Sequence, residues 1–278
     1  EFSGRGQRSG SDWQGEAQID FASGALFVDP LYLEFAPQTA LHLTSRLRWS
    51  AVAQRLHLEA LSLDHAGVAQ AQAVAEHLGK RQEISRPDAW NTQNEHGYGI
   101  THLYASLMER AAFTASHTAR RLQVPFEAWD IHESGGIFGR DGEMKLQGLA
   151  GKPRSWFEAN VPGFKLPESL DEGGWWNRPF ETEEECQLRA ERVWSDLLAR
   201  HSDRDDQPED RVIFVSHGGF FMHLMCAILA LPWKNASNGL RSWFLLHNCS
   251  ISRIDVREKH VPICYLNRTE HLPHHLIT

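Results

Sequence analysis

Val212-Ile213-Phe214-Val215-Ser216-His217-Gly218-Gly219-Phe220 is the stretch on which the fold turns. Four consecutive β-branched and aromatic residues suit a strand buried on both faces of a parallel sheet. The run stops at a histidine and two glycines, which allow a tight turn and a close backbone approach to a ligand. From Phe220 to Leu231 apolar residues recur at helical spacing, and Pro232 ends the pattern. His217 and the glycine pair interrupt the apolar span, and His223 breaks it again, so a strand and a helix fit better than a membrane crossing. A strand end, a histidine and a helix start therefore meet at one point. Free N–H groups and the positive dipole end of the helix suit an anion such as phosphate there. His217 reads as a catalytic histidine, although an isolated His-Gly-Gly is more often a hydrogen-bonded core histidine beside a turn, so the surrounding segments must decide.

Upstream, Thr182 and Glu185 have capping-box spacing, and Ala190, Val193, Trp194, Leu197 and Leu198 give the following helix a buried face. Further back, a strand over Ile100 to Ala105 leads into a helix with Met108, Ala111, Ala112, Ala115, Ala119 and Leu122 on one side. Val124-Pro125 ends that helix before an extended segment through Trp129. Between them, Gly135 to Pro179 is rich in glycine and aromatic residues and weak in periodicity, which predicts a lid or insertion over a site. Ser62 or Asp64 is expected to cap a helix with Val68, Ala71, Ala75 and Leu78 on one face and Gly79 at its stop. Arg81 to Gly99 reads as a long loop, and Leu31 to Phe35 as a strand after Asp29-Pro30. Trp243–Val256 and Pro262–Leu266 are expected to pair across a turn at 257–260. Strands alternating with helices imply a mostly parallel sheet covered on both faces, with ligands bound beyond its carboxyl ends, where His217 and Ser106 fall.

The chain has 278 residues, 41% of them hydrophobic and 23% charged, which is ordinary for one large α/β domain. We expect residues 1–24 to be a flexible tail or fragment end and 25–278 a single domain. The formal charge of −8 disfavours a general nucleic-acid or anionic-membrane binder, both of which use basic patches. Cys186, Cys226, Cys249 and Cys264 form no CxxC pair, which predicts a reducing compartment, hence the cytoplasm. Sequons at Asn235, Asn248 and Asn267 carry little weight without a signal peptide.

Two further segments stand beside His217. In Tyr104 to Ala115, Arg110 sits one turn into the helix after a strand end, where its planar fork suits a phosphate, although a solvated helix arginine is the bland reading. In His132-Glu133-Ser134-Gly135-Gly136, Glu133 precedes a glycine pair in a loop, where partial burial would suit it to proton transfer. Trp175, Trp176 and Phe138 are candidate walls of a substrate pocket.

These segments, in this order, resemble the histidine phosphatase superfamily in its phosphoglycerate-mutase-like branch, branch 1. The resemblance runs from Leu61-Ser62 and Gly67 through Tyr104–Ala115, His132–Phe138, Glu172–Arg178 and Val215–Phe220 to Tyr265–Arg268 and His271–Pro273. It implies a three-layer α/β/α sandwich and metal-free phosphoryl transfer through a phosphohistidine, with no cofactor. By position, Arg110 matches the phosphate-binding arginine and Glu133 the acidic proton donor. His217 matches the second histidine, which with Gly218 would bind the transferring phosphoryl group. A homodimer is also compatible with the family, and no sequence feature decides it.

The phosphoryl acceptor is missing, because no Arg-His-Gly or Arg-His-Ala triplet occurs in the chain. Matching strand character puts Phe35 and Ala36 where Arg and His should stand. Matching the distance to Leu61-Ser62 offers His42 instead, with Leu41 and Leu43 as poor neighbours. Strand character makes the first placement the better one. The reading is a phosphatase of a small soluble phosphorylated substrate, with mutase activity less favoured. The alternatives are a catalytically silent member that binds an anion, and a chain whose first 60 residues are not the native family sequence. A metallohydrolase is weaker, because His271, His274 and His275 have no HExxH helix or carboxylate cluster beside them.

Overall fold

A computed structural model of the chain describes residues 2–9, 12–21, 24–28, 31–35, 41–50, 55–80, 91–140, 145–202, 208–232, 244–257 and 260–278, with the backbone alone up to residue 66 and at Arg140. The chain forms two compact units, Glu1–Gln70 with Leu272–Thr278, and Ala71–His271.

The first unit contains β1 (Phe2–Ser9), β2 (Asp12–Phe21), β3 (Gly24–Val28), β4 (Leu31–Phe35), β5 (Leu41–Ser50) and β6 (Arg55–His65). β1, β2, β5 and β6 form an antiparallel sheet in that order, and β3 pairs antiparallel with β4. Leu31–Phe35 is thus a strand, as expected, but not the first strand of a parallel sheet. Only two residues separate it from β3, which is enough for a hairpin, whereas parallel neighbours need a crossover of a dozen or more. His42 falls in β5, opposite Asp20 and Asp64.

α1 (Ala66–Leu78) follows β6 directly, so Ser62 and Asp64 lie in the strand rather than at the helix cap. Ala71, Val74, Ala75 and Leu78 are buried, while Val68 is exposed.

In the second unit, β7 (His102–Ala105), α2 (Glu109–Leu122) and β8 (Phe126–Ala128) come first. β9 (Phe138–Arg140), β10 (Leu146–Gly148), α3 (Arg154–Asn160) and β11 (Phe164–Lys165) follow. α4 (Glu183–Arg200), β12 (Val212–Val215), α5 (Gly218–Leu229), β13 (Ile251–Ile254) and β14 (Ile263–Arg268) complete it. The central sheet is parallel with order β11-β8-β7-β12.

Side-chain alternation along β7 builds the layers. Leu103 and Ala105 face a core with Ala112, Ala115 and Ala119 of α2 and Phe157 of α3. Tyr104 faces the opposite core, with Cys186, Ala190 and Val193 of α4 and Phe220 and Leu224 of α5. Helices therefore cover both faces, which is the expected α/β/α sandwich. The alanine face of α2 brings its backbone close to the sheet, and Gln123 ends the helix in the left-handed region. α4 starts on the expected capping box, with Thr182 Oγ1 accepting from Glu185 N and Glu185 accepting from Thr182 N. Leu198, expected in its buried face, is exposed near the helix end. β13 and β14 form the expected antiparallel pair.

The segment 135–179 is not merely a lid. It supplies β11, the outermost strand beside β8, and buries Phe157, Val161, Phe164, Leu170 and Trp176. Its elements are too short for a periodic pattern to register. Among the described residues, no helix is long and apolar enough to cross a membrane.

Candidate active site

β7 and β12 pair in register from His102↔Val212 to Ala105↔Val215, so both strands end at one level. The chain that leaves β7 enters Ser106, whose N–H donates to Val215 O at 3.2 Å. The chain that leaves β12 reaches His217 two residues later. These two ends meet through Ser106 Oγ and His217 Nε2, 2.6 Å apart, while Ser106 Oγ also accepts from Met108 N at 3.2 Å. His217 is 8% exposed and caps α5 in extended conformation. Burial, reinforced by the guanidiniums of Arg110 and Arg189, holds its pKa well below the usual histidine value, so the ring is neutral at physiological pH.

Glu133 reaches the same point from the loop after β8. Its Oε1 accepts from Ser134 N at 2.9 Å and from Phe220 N, in the first turn of α5, at 3.1 Å. Its Oε2 lies 4.0 Å from a terminal nitrogen of Arg110, on the first turn of α2. The Arg110 side chain is 64% exposed, so the guanidinium stands at the open mouth of the site. Arg110, Glu133 and His217, far apart in sequence, are thus gathered at the carboxyl ends of β7 and β12.

The glycine pair acts differently from the expectation of a tight turn. Gly218 and Gly219 are the first residues of α5, and neither has positive φ. A Cβ at Gly219 would fall 2.2 Å from Glu133 Oε1, whereas one at Gly218 would have nothing within 4 Å. Gly219 makes room for the carboxylate. Gly136, at φ +72°, performs a comparable task, since a Cβ there would overlap the Trp176 ring.

Beneath these groups lies a buried ionic network. Arg189 of α4, 2% exposed, donates to both Glu181 oxygens at 2.7 and 2.6 Å and to the carbonyls of Asp130 and His132 at 3.1 Å each. Its guanidinium also stacks over Phe220, 4.6 Å from the ring centre. His132 places Nδ1 2.9 Å from Asp130 Oδ1 and Nε2 3.6 Å from Glu181 Oε1. Burial alone would raise the Glu181 pKa, but the two hydrogen bonds from Arg189 lead the effects that outweigh it and hold the carboxyl at about 2. Asp130 is likewise held at about 2 against its burial, by His132 first and then by Arg189 and Arg178. The network pins the carbonyls on either side of Ile131, immediately before Glu133.

A pocket of about 410 Å³ opens beside Arg110, lined by Met108, Glu109, Arg110, Ile137, Phe138, Lys152 and Trp175, with Gly136 at its edge. Phe138 and Trp175 are pocket walls, as expected. Trp176 is not among the lining residues: it is buried against His132, with ring centres 4.9 Å apart, under the Arg178 guanidinium at 4.0 Å. Lys152 adds a cation to the rim, 3.3 Å from Glu109 Oε1.

Ser106 stands beside His217 at the strand ends, as expected, whereas Arg189, Glu181 and Lys152 were not foreseen as parts of the site. Arg189 carried a signal, because it falls at helical spacing within the buried stripe Cys186, Ala190 and Val193. His42 belongs to the first unit, and its side chain lies outside the described residues, as does Ala36 altogether.

No curated protein matches the chain. A mycobacterial glucosyl-3-phosphoglycerate phosphatase in complex with VO3 is similar with a TM-score of 0.42 at 20% identity, over 73% of this chain and 85% of that one. A structure titled mycobacterial hydrolase 1 is similar with a TM-score of 0.34 at 23% identity, over 59% and 65% of the two chains. The family model of the histidine phosphatase superfamily (branch 1) matches residues 53–269, a span that contains Arg110, Glu133 and His217 and begins after Phe35, Ala36 and His42. With most of its length matched, including the three segments that converge beyond β7 and β12, the chain belongs to the histidine phosphatase superfamily, branch 1.

Proposed function

We propose that the chain is a phosphomonoester hydrolase acting on a small soluble phosphorylated substrate through a phosphohistidine. The observation that supports this most is the convergence of Arg110, Glu133 and His217 at the ends of β7 and β12. Arg110 would hold two phosphoryl oxygens with its fork. Neutral His217 would donate a ring N–H to a third, in a site excluded from water on the Ser106 side. Glu133 would give a proton to the leaving alkoxide and take one back from the water that hydrolyses the phosphohistidine. The acceptor is to be sought by mutagenesis, beginning with His42, which the distance to Leu61-Ser62 offers in the sequence. The four cysteines, all free thiols, fit a cytoplasmic location.

A second reading, a silent member that binds an anion without turnover, is favoured by one observation, the absence of an Arg-His-Gly or Arg-His-Ala triplet from the sequence. Turnover of an aryl phosphate by the purified chain without added metal separates the two. Turnover that is lost in His217→Ala supports the hydrolase, and its loss in His42→Ala identifies the acceptor. A folded chain without turnover that still binds vanadate supports the silent reading.

A further inference from the structure

The opposite ends of the same two strands carry a second cluster of reactive side chains. His102 opens β7, His201 follows the last residue of α4 as its C-cap, and Asp210 stands two residues before β12. One ligand atom from each lies within 4.8 Å of the others, which among the described residues occurs at this place alone. Asp210 Oδ2 lies 2.8 Å from His201 Nδ1, and its Oδ1 lies 3.6 Å from His102 Nδ1. We propose that His102, His201 and Asp210 bind a divalent transition-metal ion of the zinc class, with water in the fourth position.

Two imidazoles and a carboxylate are the donor types zinc takes, and three protein ligands leave one place open. Ligand bonds of about 2.0–2.1 Å in a tetrahedral site put donor atoms about 3.4 Å apart. The 2.8 and 3.6 Å distances run to the two different oxygens of Asp210, and His102 Nδ1 also lies 2.8 Å from Thr101 Oγ1, so an ion requires the carboxylate to open from His201 and the His102 ring to leave that hydroxyl and swing inward. The rings already meet edge to face, with centres 4.6 Å apart.

The surroundings favour the ligand role. Tyr104 Oη lies 3.1 Å from His201 Nε2 and can take the ring proton there, which leaves Nδ1 to face the ion. The strand ends are fixed by Thr101 N and His102 N, which donate to Arg211 O, and by Arg211 N, which donates to Thr101 Oγ1 at 2.8 Å. Access is open through His102, whose side chain is 40% exposed, while those of His201 and Asp210 are 9% and 17% exposed. Four residues of strand, about 13 Å, separate the cluster from Ser106, so the ion would take no part in chemistry at His217. It would instead join the end of α4 to the starts of β7 and β12.

The test uses the full chain, freed of metal with a chelator. Zn²⁺ binding is followed by calorimetry and Co²⁺ binding by visible absorption. One tight equivalent is expected, with affinity at least tenfold weaker in His102→Gln and Asp210→Asn and unchanged in His274→Gln with His275→Gln. Because His102 is half-exposed, His102→Gln is expected to fold, which far-UV circular dichroism checks, and its aryl-phosphate hydrolysis should be unchanged. Absence of saturable uptake, or equal affinity in the parent chain and His102→Gln, overturns the proposal.

Discussion

Replacing Arg189 by Met keeps an unbranched apolar stem and removes the guanidinium and its charge. Glu181 then keeps a carboxylate in a setting where its side chain is 6% exposed, without the two hydrogen bonds at 2.7 and 2.6 Å that hold it. The cost can be worked in two ways. Lowering the Glu181 pKa from 4.5 to about 2 corresponds to about 3 kcal/mol of stability at neutral pH. Stripping one partner from a buried pair generally costs about 3–5 kcal/mol. Arg189→Met should therefore lower the unfolding free energy by about 3 kcal/mol, which at an m-value near 3 kcal/mol/M moves the urea midpoint down by about 1 M. Circular dichroism at pH 7 reads it. The double variant with Glu181→Gln should recover part of the loss, since no buried charge is then left unpaired. A loss below about 1 kcal/mol in Arg189→Met, or losses that simply add in the double variant, would refute the view that this pair forms the floor of the site.

Gly219→Ala puts a methyl on the Glu133 carboxylate, whereas Gly218→Ala meets nothing. The first should cut hydrolysis by about 100-fold or more through lost proton transfer, the second should leave it intact, and both should melt within a few degrees of the parent because alanine also favours the helix. Arg110→Ala and His217→Ala should each weaken vanadate binding by about tenfold or more, read by inhibition or calorimetry, since each removes a donor to a charged oxygen. Unchanged affinity in both would remove the site. Stability should fall with acid in two windows. His217 stays neutral in the fold while the unfolded chain takes up its proton near pH 6.5, so its contribution fades as pH drops below 6.5. Glu181 and Asp130, depressed to about 2, contribute fully above their unfolded values near 4 and lose it as pH falls toward 2. Urea midpoints from pH 8 to 3 should show both, with the upper one reduced but not abolished in His217→Gln, because burial also lowers His77, His117, His223 and His271.

The parts legible in the sequence were those with a strong local signal. The Val212–Val215 run, the capping box at Thr182 and the alanine stripe of α2 each state their structure within a few residues, although Val212–Val215 ends the described parallel sheet and is half-buried rather than buried on both faces. Arg110, Glu133 and His217 were legible as separate fragments, and only the in-register pairing of β7 with β12 makes them neighbours. What escaped depends on partners distant in sequence. Arg189 looks like any helix arginine until Glu181 and two carbonyls close around it. The role of Gly219 is set by a carboxylate 86 residues earlier. Strand character alone placed Leu31–Phe35 in the wrong kind of sheet, because an apolar pentapeptide does not state its pairing direction.

The aromatic sandwich around His132 also gives the molecule an optical property. His132 lies 5.3 Å from the Trp175 ring and 4.9 Å from that of Trp176, whose far side carries the Arg178 guanidinium at 4.0 Å. Trp175 alone of the two also borders the pocket, so the environment of its indole changes when the pocket is filled. Against the other eight tryptophans of the chain, the difference between parent and Trp175→Phe isolates that one emitter. Occupation of the pocket is then visible as a change in light, with no label and no turnover required.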